Sequence, residues 1–199
     1  MSELLRQAKY LLSETDPKLL LDAKVEVAFI GRSNVGKSSF LNALCQQRGL
    51  ANVSKTPGRT RTINVFAVDT LRWLVDLPGY GYAVGSAESR EGWSAMIEGY
   101  LTSRPSLAGI FLLVDSKVGP TKLDLQMLRW VQEHQLPFYV VANKIDQVKP
   151  SQRHTQQNKI AEAMEVAVTE IQWISATENI GMNVMRQMIT TLLAGKNLN

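Results

Sequence analysis

Gly31-Arg32-Ser33-Asn34-Val35-Gly36-Lys37-Ser38 follows the apolar run Val25-Glu26-Val27-Ala28-Phe29-Ile30 and opens a helical pattern over 37–47. Strand, glycine-framed loop ending in Lys-Ser, then helix is the pattern of a phosphate-binding loop, or P-loop. Gly31 and Gly36 let the backbone of Arg32, Ser33, Asn34 and Val35 curl into a nest of N–H donors, to which the helix N-terminus adds positive potential. Lys37 is placed to set an ammonium between two phosphates. Ser38, with Ser39 beside it, offers a hydroxyl to a Mg2+ ion. A nucleotide is implied, while its base and the reaction stay open.

Working outward, short apolar runs at 25–30, 63–68, 72–76, 110–115 and 137–142 alternate with longer helical patterns. That alternation belongs to the α/β class. Helices are expected over 37–47, 87–102, 121–134, 151–167 and 181–194, with a last strand near 170–174. The turn at Asp69-Thr70 is too short for a crossover helix, so the second and third strands should pair antiparallel. Upstream, Leu4, Leu5, Ala8, Leu11 and Leu12 keep helical spacing until Asp16-Pro17 breaks it. The expected division is a helical N-terminal extension over 1–22, one domain over 23–195 and a flexible tail over 196–199. Two glycine-containing stretches, 48–60 and 77–92, are longer than ordinary connections and lie beside the phosphate loop in this scheme.

A chain of 199 residues with 45% hydrophobic and 20% charged composition fits one packed domain. No apolar run reaches the roughly 18 to 20 residues of a membrane span, and no signal-type segment follows Met1, so a cytoplasmic location without a membrane partner is expected. Cys45, the only cysteine, has no partner for a disulfide and is expected in the core. The net charge of +4 suits an anionic partner and ordinary solubility equally.

Three downstream segments narrow the nucleotide. Asp76-Leu77-Pro78-Gly79 closes an apolar strand, where Asp76 can hold Mg2+ through water and the Gly79 N–H can sense a γ-phosphate. Asn143-Lys144-Ile145-Asp146 follows the strand at 137–142, at the sheet edge where open α/β folds bind ligands. The Asp146 carboxylate matches guanine N1–H and N2–H2. Adenine supplies neither, and a buried charged acceptor left unpaired costs more than about 1 to 3 kcal/mol. The Lys144 stem can lie across the base, and Asn143 can tie this segment to the phosphate loop. Ser175-Ala176-Thr177 follows the last strand, where the Ala176 N–H would meet guanine O6.

The ordered set of these motifs resembles the translation-factor-like GTPases. Lys55-Thr56-Pro57-Gly58-Arg59-Thr60-Arg61-Thr62-Ile63-Asn64 and Asp76-Leu77-Pro78-Gly79-Tyr80-Gly81-Tyr82-Ala83 make the chain similar to the bacterial EngB/YsxC/YihA family over about 25–195. The resemblance implies a P-loop GTPase fold: a six-stranded, mostly parallel sheet with one antiparallel edge strand and helices on both faces. It also implies a monomer that binds GTP and GDP with Mg2+, and Gly58, Arg59, Thr60, Arg61 and Thr62 near the nucleotide. Thr60 is the expected switch threonine for Mg2+ and the γ-phosphate, with Thr62 the competing candidate. Assembly of the large ribosomal subunit, through its rRNA and proteins, and a role in cell division and septation are implied in the same way. Arg48, Lys55, Arg59 and Arg61 would suit an RNA surface there, or a solvated loop.

In Ras-like proteins a glutamine follows DxxG, whereas here Tyr80 does, so no side-chain amide orients the attacking water at that position. Slow unassisted hydrolysis is expected. Asn34 resembles the asparagine by which some GTPases hold K+ beside the phosphates, and it could equally cap the loop. The expected catalytic set is therefore Lys37, Thr60, Gly79 and Asn34. The rival is a GTP-regulated RNA- or protein-binding module with negligible hydrolysis. An ATPase or kinase is disfavoured by Asn143-Lys144-Ile145-Asp146.

Overall fold

In the computed structural model the described residues are 2–51, 62–80 and 87–198, with the side chains of Ser2 and residues 87–94 excepted. The chain order is α1 (Ser2–Arg6), β1 (Lys9–Glu14), β2 (Val25–Gly31), α2 (Lys37–Cys45), β3 (Ile63–Ala67), β4 (Arg72–Asp76), α3 (Ala87–Ser103), β5 (Leu107–Asp115), α4 (Lys122–Glu133), β6 (Phe138–Asn143), α5 (Arg153–Met164), β7 (Ile171–Trp173) and α6 (Met182–Leu193). One sheet runs β1-β3-β4-β2-β5-β6-β7. Strands β4, β2, β5, β6 and β7 are parallel neighbours, and β3 is antiparallel to both β4 and β1.

The central strands are apolar throughout because both faces are covered. Along β2, Val27 and Phe29 join a core with α1, α2 and α6, whereas Ala28 and Ile30 join one with α3, α4 and α5. Phe111 and Leu113 on β5 alternate with Ile110, Leu112 and Val114 in the same way. This two-sided burial holds β2 and β5 rigidly, and their C-terminal ends carry the phosphate loop and Asp115.

Two expectations are corrected. Residues 2–12 do not form one helix: α1 stops at Arg6, and Lys9–Glu14 becomes a strand paired with β3. Leu5 and Ala8 still enter the α2/α6 core, so the apolar spacing was real for the first two turns. Beyond them, the backbone edge of β3 offers hydrogen bonds that hydrophobic spacing cannot reveal, and β1 pairs with it. Gln47 marks the change of conformation, its side-chain N–H2 donating to Arg6 O (2.7 Å) and Ala8 O (2.8 Å). The sheet consequently has seven strands rather than six, and the antiparallel strand β3 is internal rather than at the edge. At the C-terminus, Lys196 N–H donates to Thr191 O (3.2 Å) and Leu198 packs against the α6 side.

Candidate functional site

The phosphate loop leaves β2 at Gly31, where an added Cβ would meet Leu113 O at 2.7 Å and Val35 Cγ1 at 3.0 Å. Any larger residue would push the loop off β5. Asn34 has φ 67° and Gly36 φ 96°, and Gly36 is the N-cap of α2. A Cβ on Gly36 would lie 2.6 Å from Asn143 Nδ2, so position and backbone both demand glycine. Asn34 does not supply the helix cap. Its exposed carboxamide meets no partner among the described residues.

Residues 77–80 extend the β2–β4 pairing upward beside the loop. Leu77 N–H donates to Phe29 O (3.0 Å), Tyr80 N–H to Gly31 O (3.3 Å), and Ser33 N–H to Tyr80 O (2.9 Å). Gly79 lies against Ser33, whose backbone N would be 3.1 Å from an added Cβ. Leu77 and Pro78 are buried behind it. Lys37 Nζ is 2.7 Å from Asp76 Oδ1, an ion pair by distance in which that buried oxygen makes no aligned hydrogen bond. Lysine and carboxylate therefore face the same small volume at the mouth of the loop.

Asn143 links three segments. Its Nδ2 donates to Val35 O (3.0 Å), and its Oδ1 accepts from Ala176 N–H (3.1 Å). Lys144, with φ 67°, turns back so that Nζ donates to Asn34 O (2.6 Å) and Asp115 Oδ2 (2.7 Å). Ile145 is buried and donates its N–H to Ile174 O (3.0 Å). Asp146 is half-buried, and among the described residues nothing pairs with its carboxylate. Ser175 is buried, and its Oγ accepts from Glu178 N–H (3.0 Å), while Thr177 is exposed. The Ala176 N–H, expected to meet guanine O6, here donates to Asn143 Oδ1, and β6 and β7, which precede the two loops, pair in parallel.

Asp115 lies outside the sequence motifs. It ends β5 level with Asn143 on β6, is buried, and accepts from Lys117 N–H (2.9 Å) and Val118 N–H (3.1 Å) while pairing with Lys144. A carboxylate closing the apolar run at 110–115, as Asp76 closes 72–76, was the available signal. Tyr80 is the other surprise. It is buried and donates its hydroxyl to Asp124 Oδ1 (2.6 Å), so its side chain points into the α4 side of the core. Burial, then the Asp124 charge and hydrogen bond, push that phenol well above its usual value.

The chain is similar to known proteins. The family model described as "50S ribosome-binding GTPase" matches residues 26–144. A probable GTP-binding protein EngB from Pelotomaculum thermopropionicum is 47% identical over 165 residues, covering 82% of this chain and 83% of its own length. Another from Citrifermentans bemidjiense is 39% identical over 192 residues, covering 96% and 90%. The chain belongs to the EngB family of P-loop GTPases. A crystal structure of a probable GTP-binding protein EngB superposes with a TM-score of 0.70 at 25% identity, covering 86% of this chain and all of that one. The shared EngB fold is the mixed sheet with helices on both faces, and the family is one of GTP-binding, GTP-hydrolysing proteins implicated in ribosome assembly and cell division.

Of the EngB-like positions expected near the nucleotide, Gly58, Arg59, Thr60 and Arg61 lie outside the described residues, as do Lys55, expected on an RNA surface or a solvated loop, and Gly81, Tyr82 and Ala83. Thr62 is described, and its hydroxyl donates to Asn64 Oδ1 at 3.2 Å. Arg48 is exposed. No helix among the described residues is long and apolar enough to cross a membrane.

Proposed function

We propose that residues 31–38, 76–79, 143–146 and 175–177 form one guanine-nucleotide site, and that the chain is a slowly hydrolysing GTP switch acting on the large ribosomal subunit or its precursor. The observation that carries this reading is Asn143, which joins Val35 of the phosphate loop to Ala176 of the last loop, while the Asp146 carboxylate, three residues on, has no partner among the described residues. A base held by Asp146 would thus share a rigid frame with phosphates held by the loop. Discrimination follows from chemistry, because only guanine offers Asp146 two donors.

The fold goes with Mg2+-nucleotide binding. The residues present fit that ion: Asp76 Oδ1 is a buried acceptor without an aligned hydrogen bond, and Ser38 stands in the first turn of α2. When bound, Mg2+ neutralises charge on the phosphate oxygens. Ser38, Asp76 through water and Thr60 would hold it. Lys37 contributes an ammonium at the phosphates, and the Gly79 N–H a donor that reports the γ-phosphate. Asn34, whose carboxamide has no partner among the described residues, is the candidate ligand for K+. The residue after Gly79 adds nothing to water positioning, because Tyr80 is held by Asp124 in the core. Slow turnover without a partner follows.

The same observation supports a second reading, a GTP-regulated RNA- or protein-binding module with negligible hydrolysis. The ribosomal partner, and with it the cytoplasmic location and the division and septation role, rest on family membership and the matched description. Single-turnover GTP cleavage with and without large-subunit particles separates the readings. A switch accelerates with the particles, and a pure binder stays slow in both. Equal turnover in K+ and Na+ with particles present would remove Asn34 from the catalytic set.

A further inference from the structure

Arg186, on α6, is 6% exposed, and its guanidinium makes four hydrogen bonds. Nε donates to Leu44 O (3.2 Å), Nη1 to Asn183 Oδ1 (2.7 Å), and Nη2 to both Ala43 O (2.8 Å) and Asn179 Oδ1 (2.8 Å). The two carbonyls belong to the last turn of α2, the helix whose first residue is Lys37. A cation there is favoured by the unpaired carbonyls and by the negative end of the helix dipole. Burial and nearby Arg6 lower the Arg186 pKa, yet an arginine stays charged at neutral pH.

Asn179 belongs to a different segment. It stands with φ 56° in the turn between Ser175 and Ile180, which is closed by Ser175 N–H to Ile180 O (3.1 Å) and by Glu178 N–H to Ser175 Oγ (3.0 Å). That turn carries Ala176, the residue bonded to Asn143. At its far end Gly181 has φ 69°, and an added Cβ would be 2.7 Å from Trp173 O. The loop is thus fixed at Ala176 by Asn143 and at Asn179 by Arg186. Both ties lead to the phosphate loop: Asn143 reaches it at Val35, and Arg186 grips the opposite end of the helix that the loop begins.

We propose that Arg186 is a positioning residue for nucleotide binding, acting through Asn179 to hold the loop at 175–181 at a set distance from α2. The inference rests on the reading of 175–177 as part of the base site. It differs from a simple capping role, in which Arg186 would stabilise α2 and leave ligand affinity alone. A ligand bridging base and phosphate subsites gains from their being fixed in advance, since less ordering remains to be done on binding.

Asn179→Gly separates the two roles. Glycine accepts the left-handed backbone at 179, so the turn can persist while the tie to Arg186 is lost and the α2 carbonyls stay capped. Asn183→Ala, within the same helix as Arg186, removes a contact that does not reach the loop. Release of a fluorescent GDP should speed up roughly three- to tenfold in Asn179→Gly and stay at the wild-type rate in Asn183→Ala. Cleavage of saturating, prebound GTP should be unchanged in both, because Lys37 and Gly79 are untouched. Wild-type GDP release in Asn179→Gly would overturn the proposal, as would an equal change in Asn183→Ala. Failure of the wild-type chain to bind GDP at all would overturn the base-site reading, and this inference with it.

Discussion

The Tyr80 hydroxyl donates to Asp124 Oδ1 at 2.6 Å, tying the residue after Gly79 to the first turn of α4. Asp124 is also the third residue of the α4 capping box, its Oδ2 accepting from Thr121 N–H and Oγ1, each at 2.7 Å. The segment beside the phosphate loop and an outer helix therefore share one buried carboxylate.

Tyr80→Phe should test whether that phenol is structural. The ring is kept, but Asp124 Oδ1 loses a buried donor, which costs about 1 to 3 kcal/mol. Urea unfolding should show that loss, while single-turnover GTP cleavage stays at the wild-type rate. Lost cleavage at unchanged stability would mean that the hydroxyl works at the phosphates.

Gly36→Ala should damage binding more than folding. A left-handed backbone disfavours alanine by about 1 to 2 kcal/mol, and the methyl group would displace Asn143 Nδ2 from its contact with Val35. Calorimetric GDP titration should register at least roughly tenfold weaker affinity, since Asn143 links both halves of the site. An unaltered affinity would show that the Asn143 link is dispensable.

At the other end of β2, Glu26 is fully buried. Its Oε1 accepts from Arg104 Nε (3.0 Å) and Ser106 Oγ (2.6 Å), and its Oε2 from Tyr100 (2.5 Å). Arg104→Met leaves that carboxylate without its cation and should cost roughly 3 to 5 kcal/mol of stability. Guanine-nucleotide affinity, measured where the variant is folded, should not move, because this cluster lies at the strand end opposite the phosphate loop.

Burial raises the Cys45 thiol from the usual 9.0 to about 12, against a smaller opposite effect from Arg186. The sign follows from linkage: the unfolded chain ionises this thiol first, so its stabilising contribution is complete below pH 9.0 and is lost as pH climbs towards 12. Burial raises the Tyr80 and Tyr100 phenols as well and adds to the same alkaline loss. Cys45→Ala should flatten part of this decline in unfolding free energy between pH 9.0 and 12, measured by urea titration at several pH values. An identical slope in both proteins would assign it to the tyrosines alone.

Most of the α/β frame was legible because parallel strands buried on both faces are continuous apolar runs, and β2, β4, β5 and β6 fall where those runs lie. The segment at 9–14 was misread because an edge strand is specified by the backbone it pairs with, here β3, and Leu11 and Leu12 fit either period. Within the site, the residues expected to act through backbone geometry, Gly31 and Gly36, have close contacts that account for them. Asp115 and Arg186 pair with groups distant in sequence, Lys144 and the α2 carbonyls, while Asn179 meets Arg186 only once the turn at 175–180 and the start of α6 are folded. Arg186 meets Ala43 across more than half the chain, a relation no local pattern encodes.

In the proposed function, Asp146 reads guanine. Competition binding of GTP, xanthosine triphosphate and ATP to wild type and Asp146→Asn tests it directly. The wild-type chain should prefer GTP over ATP, and the variant should lose roughly a hundredfold or more in GTP affinity while gaining preference for the xanthine nucleotide, whose C2 carbonyl accepts where guanine donates. An Asp146→Asn protein that still prefers GTP over the xanthine nucleotide would contradict the assignment of the base site.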